Sequence, residues 1–322
     1  MRRVGLVLIP LMAAAQEPAA VQKAAEKSIR LLQSSAAQFF RHSGCISCHH
    51  QSIPGMAISV ARERGLAVDD SLARQIVKMN LAVFSPHREN LVQAINTVPA
   101  SPKVSSYALL HMAAEKQPAD GLTDAMVHDL AQKQRANGSW RDGDRRPPLG
   151  YSDLAATALT LRALDLYAPA GRRAEFDRRI ARAREWLAAA EPADSEERAY
   201  RLLGLAWAKA RRADQEKASR ALAADQRTSG GWSQRATLEP DAYATAQALV
   251  ALHHGGMTAS DPVYQRGVKH LLATQREDGS WHVKTRAMGF QPYFESGFPH
   301  GPDQWISAAA TGWAVMALAY TR

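Results

Sequence analysis

One pattern recurs three times in this chain and restricts sharply what it can fold into. It is Gln134-x-x-x-Gly138-x-Trp140, then Gln226-x-x-x-Gly230-x-Trp232, then Gln275-x-x-x-Gly279-x-Trp281. Each copy ends a helical stretch and is followed by an alanine-rich one. Trp232 and Trp281 are about 50 residues apart and Trp140 precedes Trp232 by nearly twice that, the spacing of stacked helix hairpins. A degenerate copy therefore belongs in the longer gap. Glu185 to Pro192, followed by Ala199 to Ala210, fills it.

The second helix of each unit repeats as well. The segments Asp153 to Leu164, Asp241 to Leu252 and Ser307 to Leu318 align on Thr157, Thr245 and Thr311. Small residues on several faces of these helices suit burial all round, as on the inside of a ring, whereas the more charged set faces solvent. Extending the register predicts outer helices near 20–38, 71–84, 122–135, 174–190, 214–226 and 261–275. Inner helices fall near 53–64, 103–115, 152–166, 197–211, 241–254 and 305–320. Ser152, Asp153 and Asp241 stand where N-caps are expected. Extended β-alternation is absent. The expected fold is an all-α (α/α)6 toroid of six outer and six inner helices, one domain over residues 16–322. Residues 16–66 form its first helix pair and 122–322 its repeat region.

The repeated segments resemble the QW motifs of the squalene–hopene cyclase and protein-prenyltransferase superfamily, most specifically over residues 122–322. The resemblance implies a terpenoid-cyclase-like toroid in which the Gln and Trp of each motif stack and tie the outer helix end to the next turn. That structural role is carried to Gln134, Trp140, Gln226, Trp232, Gln275 and Trp281. The known reactions of the superfamily do not transfer. Its class II cyclases protonate substrate with Asp-x-Asp-Asp; here Asp142-Gly143-Asp144 is followed by Arg145, and Asp69-Asp70 stands alone. Its prenyltransferases use a zinc site of Asp, Cys and His, and both cysteines of this chain are committed elsewhere.

They lie in Cys45-Ile46-Ser47-Cys48-His49. In an exported protein this spacing is the attachment signature of c-type haem: both thiols bond the macrocycle and His49 becomes an axial iron ligand. Export is supported by the start of the chain. Met1-Arg2-Arg3 precedes an apolar stretch from Val4 to Met12, then Ala13-Ala14-Ala15 and a polar Gln16. These are the parts of a signal peptide over residues 1–15, which predicts a periplasmic or extracellular protein. No later run is long and apolar enough to be a transmembrane span. The alternatives at the same residues are a Cys45–Cys48 disulfide, or a Zn or Fe site using Cys45, Cys48, His49 and His50. Met112, His111, His282 and His300 are admissible as a second axial ligand, as is an open position, whereas Met56, seven residues after His49, has too short a reach around the macrocycle.

A net charge of +9 is spread over the 322 residues with no basic stripe interleaved with aromatics, which argues against nucleic acid. The connection from Trp281 to Ser307 is much longer than those from Trp140 to Asp153 and from Trp232 to Asp241. Oversized loops in compact domains tend to carry function. This one holds His282, Glu295, His300 and Asp303, which join Asp153 and Asp241 as candidate catalytic groups. In a closed ring the last unit packs on the first, so the loop and the Cys45–His49 run are expected at one mouth. The expectation is an exported haem-bearing toroid with a redox or electron-transfer role. Its partner would be a redox protein or a small apolar, isoprenoid-like molecule in the central cavity. A haem-free isoprenoid lyase, isomerase or cyclase-like enzyme, and a non-catalytic binding module, are the alternatives.

Overall fold

Helical hairpins account for almost the whole chain. The computed structural model describes residues 11–95, 101–143, 146–289 and 292–322. Most of the predicted leader lies outside these described residues. The first hairpin is α1 (Leu11–Ser43) and α2 (Ile53–Glu63), and the second is α3 (Asp70–Phe84), a short α4 (Arg88–Val92) and α5 (Pro102–Ala114). Then follow α6 (Gly121–Gln132) with α7 (Asp153–Tyr167), and α8 (Arg173–Ala189) with α9 (Ser195–Trp207). The last two pairs are α10 (Arg212–Ala224) with α11 (Ala242–His254), and α12 (Pro262–Thr274) with α13 (Gln304–Ala319).

The inner set α2, α5, α7, α9, α11 and α13 pack each against the next, and α13 packs back on α2. The ring is therefore closed, and the fold is an all-α (α/α)6 toroid. The reason is legible residue by residue. In α11 every position from Ala242 to Leu252 is buried, mostly alanine, leucine and valine, so that helix has no solvent face to offer. In α10 only Ala218 and Leu222 are buried, the narrow stripe of an outer helix. Inner helices begin at side-chain caps: Ser101, Ser152, Asp194 and Asp241 accept the backbone N–H of Val104, Ala155, Glu197 and Ala244. Each such cap contributes about 1 kcal/mol.

The repeated motif closes each hairpin the same way. Gly138, Gly230 and Gly279 hold φ of +92°, +85° and +89°, backbone that a Cβ disfavours. The Gln134 amide donates to the carbonyls of Gly138 and of Arg179 on the next outer helix, and Gln226 does the same to Gly230 and Val263. Gln275 donates to Gly279 and to Ala24 of α1, so the third copy ties the end of the chain to its beginning. Trp140, Trp232 and Trp281 are fully buried. Their indoles donate to the carbonyls of Leu130, Leu222 and Leu271, and their backbone N–H groups donate to Thr157, Thr245 and Thr311.

Candidate functional site

The turn between α1 and α2 is short and tightly bonded. After Gly44, at φ +62°, residues Cys48–Ser52 form a single π-helical turn capped by Ser47. Ser47 N–H donates to Gln51 Oε1 at 2.8 Å, and the Gln51 amide donates to the carbonyl of Ala36 at 2.9 Å. Such π-turns recur at functional sites because they redirect side chains within a helix. Here consecutive side chains enter the ring. Cys45 is half-buried, Cys48 and His49 are almost wholly buried and His50 wholly so.

His49 borders a cavity of about 180 Å3 at the toroid mouth, with Phe39, Phe294, Trp305, Met288 and Arg146 among its walls. The Arg146 guanidinium lies 4.7 Å over the Trp305 ring, and the His49 ring meets the same indole edge-on at 5.9 Å. His49 Nδ1 bonds His50 Nδ1 and lies 3.3 Å from Ser47 Oγ. Phe39 stacks on His50 with centroids 4.6 Å apart. Burial holds the His49 imidazole well below its usual range, with the neighbouring His50 and the Arg146 charge adding to it. Burial alone brings His50 to about 3. Both rings are therefore neutral at neutral pH.

The long loop lies at this same mouth. His50 Nε2 is 2.9 Å from Ser296 Oγ, and His42 bonds the carbonyl of Glu295. His282 Nε2 pairs with Asp303 at 2.7 Å, while Thr285 N–H donates to the other Asp303 oxygen. His300 stacks on His282 at 4.7 Å and bonds Ser280 Oγ at 2.7 Å. The Glu295 carboxylate accepts from the Tyr293 hydroxyl. These four side chains brace the loop beside the cavity rather than line it. Asp153 accepts from the backbone of Asp142 and pairs with Arg135. Asp241 caps α11 and accepts from Gln234. Both hold helix starts in place. Of the proposed second ligands outside the loop, His111 is buried and bonded to Asn80, and Met112 does not border the cavity, nor does Met56.

Sequence reasoning missed Arg146, Trp305 and Phe39, which come to the cavity from the turn before α7, the start of α13 and the end of α1. It also missed a buried polar cluster within the ring. Lys103 and Asp142 form an ion pair at 3.1 Å with both side chains almost wholly buried. Tyr107 and Tyr200 bond through their hydroxyls, and Glu196 is held well above the usual carboxylate range by burial and then by the Asp194 charge. Tyr107, Tyr200 and Gln247 stand at one register, each six residues beyond its cap at Ser101, Asp194 or Asp241. That register was the signal available to find them.

Among the described residues, no group of three or more His, Cys, Asp or Glu side chains is arranged to hold a metal ion, and no helix is long and apolar enough to cross a membrane. For haem c the chain offers two thiols three residues apart and an imidazole at the cavity wall with Arg146, while Cys45 and Cys48 themselves stand outside the residues that line that cavity.

No family model and no curated protein matches the chain. Its fold is similar to that of two solved glycosidase variants. One, in complex with glucose, aligns at 13% identity with a TM-score of 0.57, covering 91% of this chain and 96% of the other. The second aligns at 12% identity with a TM-score of 0.58 and the same coverage. These findings correct the resemblance drawn from the repeat. The neighbours are glycosidases, and no match supports the squalene–hopene cyclase and protein-prenyltransferase superfamily. The physical reason lies in the motif itself, whose Gln, Gly and Trp only fasten one helix hairpin to the next. What the neighbours share with this chain is the toroid fold.

Proposed function

We propose that this chain is an exported c-type haem protein with an electron-transfer or redox role, its haem bonded through Cys45 and Cys48 at the toroid mouth. One observation carries the reading: His49, four residues after Cys45, lies in the wall of an aromatic cavity with its Nδ1 hydrogen-bonded, so that Nε2 would be the nitrogen to take a ligand. A metal-ligating histidine characteristically has its other ring nitrogen bonded in this way. When bound, the haem would supply one-electron chemistry at iron. The protein's part is to hold the imidazole rigid between Phe39 and Trp305 and to present the Arg146 guanidinium to a propionate. The cavity, about 180 Å3, is below the roughly 300 Å3 at which small-molecule pockets begin. Met288 on its wall is 88% exposed. The test is expression with a cytochrome c maturation system. Wild type is expected to retain its Soret band through acid–acetone extraction, and Cys45→Ala with Cys48→Ala to lose it. A wild type that releases all pigment refutes the reading.

A second reading follows from the glycosidase neighbours and one observation. Glu196 is buried, its Oε2 has no hydrogen-bond partner and its carboxyl favours the protonated form, as a glycosidic proton donor requires. Hydrolysis of an aryl glycoside by wild type, lost in Glu196→Gln, would favour it. No turnover by wild type would remove it.

A further inference from the structure

The hydrogen bonds behind His49 fix more than its position. Gln304 donates from Nε2 to the carbonyl of Phe294 at 2.7 Å, and its Oε1 accepts the backbone N–H of Ser296 at 3.0 Å. Both partners are main-chain groups with a single role each, so the Gln304 amide cannot be reversed. Ser296 Oγ also bonds Oε1 and must donate there. The same Oγ accepts the N–H of Phe298 at 3.3 Å, and toward His50 Nε2, 2.9 Å away, it can only accept. His50 therefore carries its proton on Nε2, and its Nδ1 is a bare acceptor. That nitrogen faces His49 Nδ1. A bond between two ring nitrogens needs one proton, which must then sit on His49 Nδ1.

We infer that Gln304, Ser296 and His50 form a relay that locks His49 as its Nδ1–H tautomer and makes Nε2 its ligand nitrogen. As an account of an iron ligand this rests on the haem reading. His50 is thereby a positioning residue, with no contact to iron. The relay runs from the last unit of the ring to the first: His50 and Ser296 are 246 residues apart in sequence. Ring closure and the electronic character of the ligand are thus set by the same bonds. A bonded Nδ1–H also makes Nε2 a stronger donor, which favours the ferric over the ferrous state.

Two measurements test it. In residues 16–322 expressed without haem maturation and labelled with 15N-histidine, long-range 1H–15N spectra should show His49 protonated at Nδ1 and bare at Nε2. In the haem-loaded protein, His50→Leu removes the acceptor and should shift the reduction potential upward. His50→Asn places Oδ1 where Nδ1 stood and should restore it. A His49 protonated at Nε2, or equal potential shifts in the Leu and Asn variants, overturns the relay. Protein that shows the expected tautomer but never takes up haem sustains the relay and rejects the haem reading instead.

Discussion

Two glycines with nearly the same positive φ allow the contact at the repeat motif to be weighed separately from conformation. Gly138 has φ +92° and Gly256 has φ +93°. A Cβ at Gly256 would meet nothing within 4 Å, whereas at Gly138 it would lie 2.5 Å from the carbonyl oxygen of Arg182 on the neighbouring outer helix. Gly256→Ala should therefore cost only the left-handed conformation, about 1–2 kcal/mol. Gly138→Ala carries the same cost plus forced separation of two backbones, roughly 1–3 kcal/mol more, because a helix carbonyl cannot rotate away as a side chain can. In a domain of this size 1 kcal/mol is worth about 2 °C in melting temperature. Differential scanning calorimetry of the two variants should place Gly138→Ala at least about 2 °C below Gly256→Ala. Equal melting temperatures would refute the claim that the motif glycine is required for close approach between units.

Two further outcomes are expected. Lys103→Met leaves the Asp142 carboxylate without its buried ammonium partner and should destabilise by about 3–5 kcal/mol in chemical denaturation, with Lys103→Met plus Asp142→Leu recovering much of the loss; an additive double variant would contradict this. Burial lifts the Asp241 carboxyl from 3.8 to about 6. The folded state then holds the proton more tightly than the unfolded one, and the associated stability is present below about pH 4 and lost as pH rises through about 6. Asp241→Asn keeps an effective cap but no titration, so the stability of wild type relative to the variant should fall across that window and be flat above it. A difference independent of pH would remove the assignment.

Much of the toroid was legible because its helices are written in two compositions. Ala, Leu and Thr buried on all sides mark α7, α11 and α13, and the charged stripe of α8 and α10 marks the outside. The first inner helix, expected at 53–64, runs from Ile53 to Glu63. The juxtaposition of Cys45–His49 with the 282–304 loop was legible too, since closing six hairpins leaves the last beside the first. The cavity walls were not. Arg146 reaches Trp305 from a turn that carries no pattern of its own, and His50 meets a Ser296 that lies 246 residues away in sequence. The family resemblance failed for a related reason: a Gln and a Trp that satisfy backbone groups at a hairpin report local packing, which unrelated toroids can share.

The central claim is covalent haem at Cys45 and Cys48, and intact-mass spectrometry under denaturing conditions addresses it directly. Wild-type protein from a host with cytochrome c maturation should weigh one haem more than its polypeptide, with neither thiol open to alkylation. A mass equal to the bare polypeptide, with both cysteines alkylated or joined in a disulfide, would contradict the account.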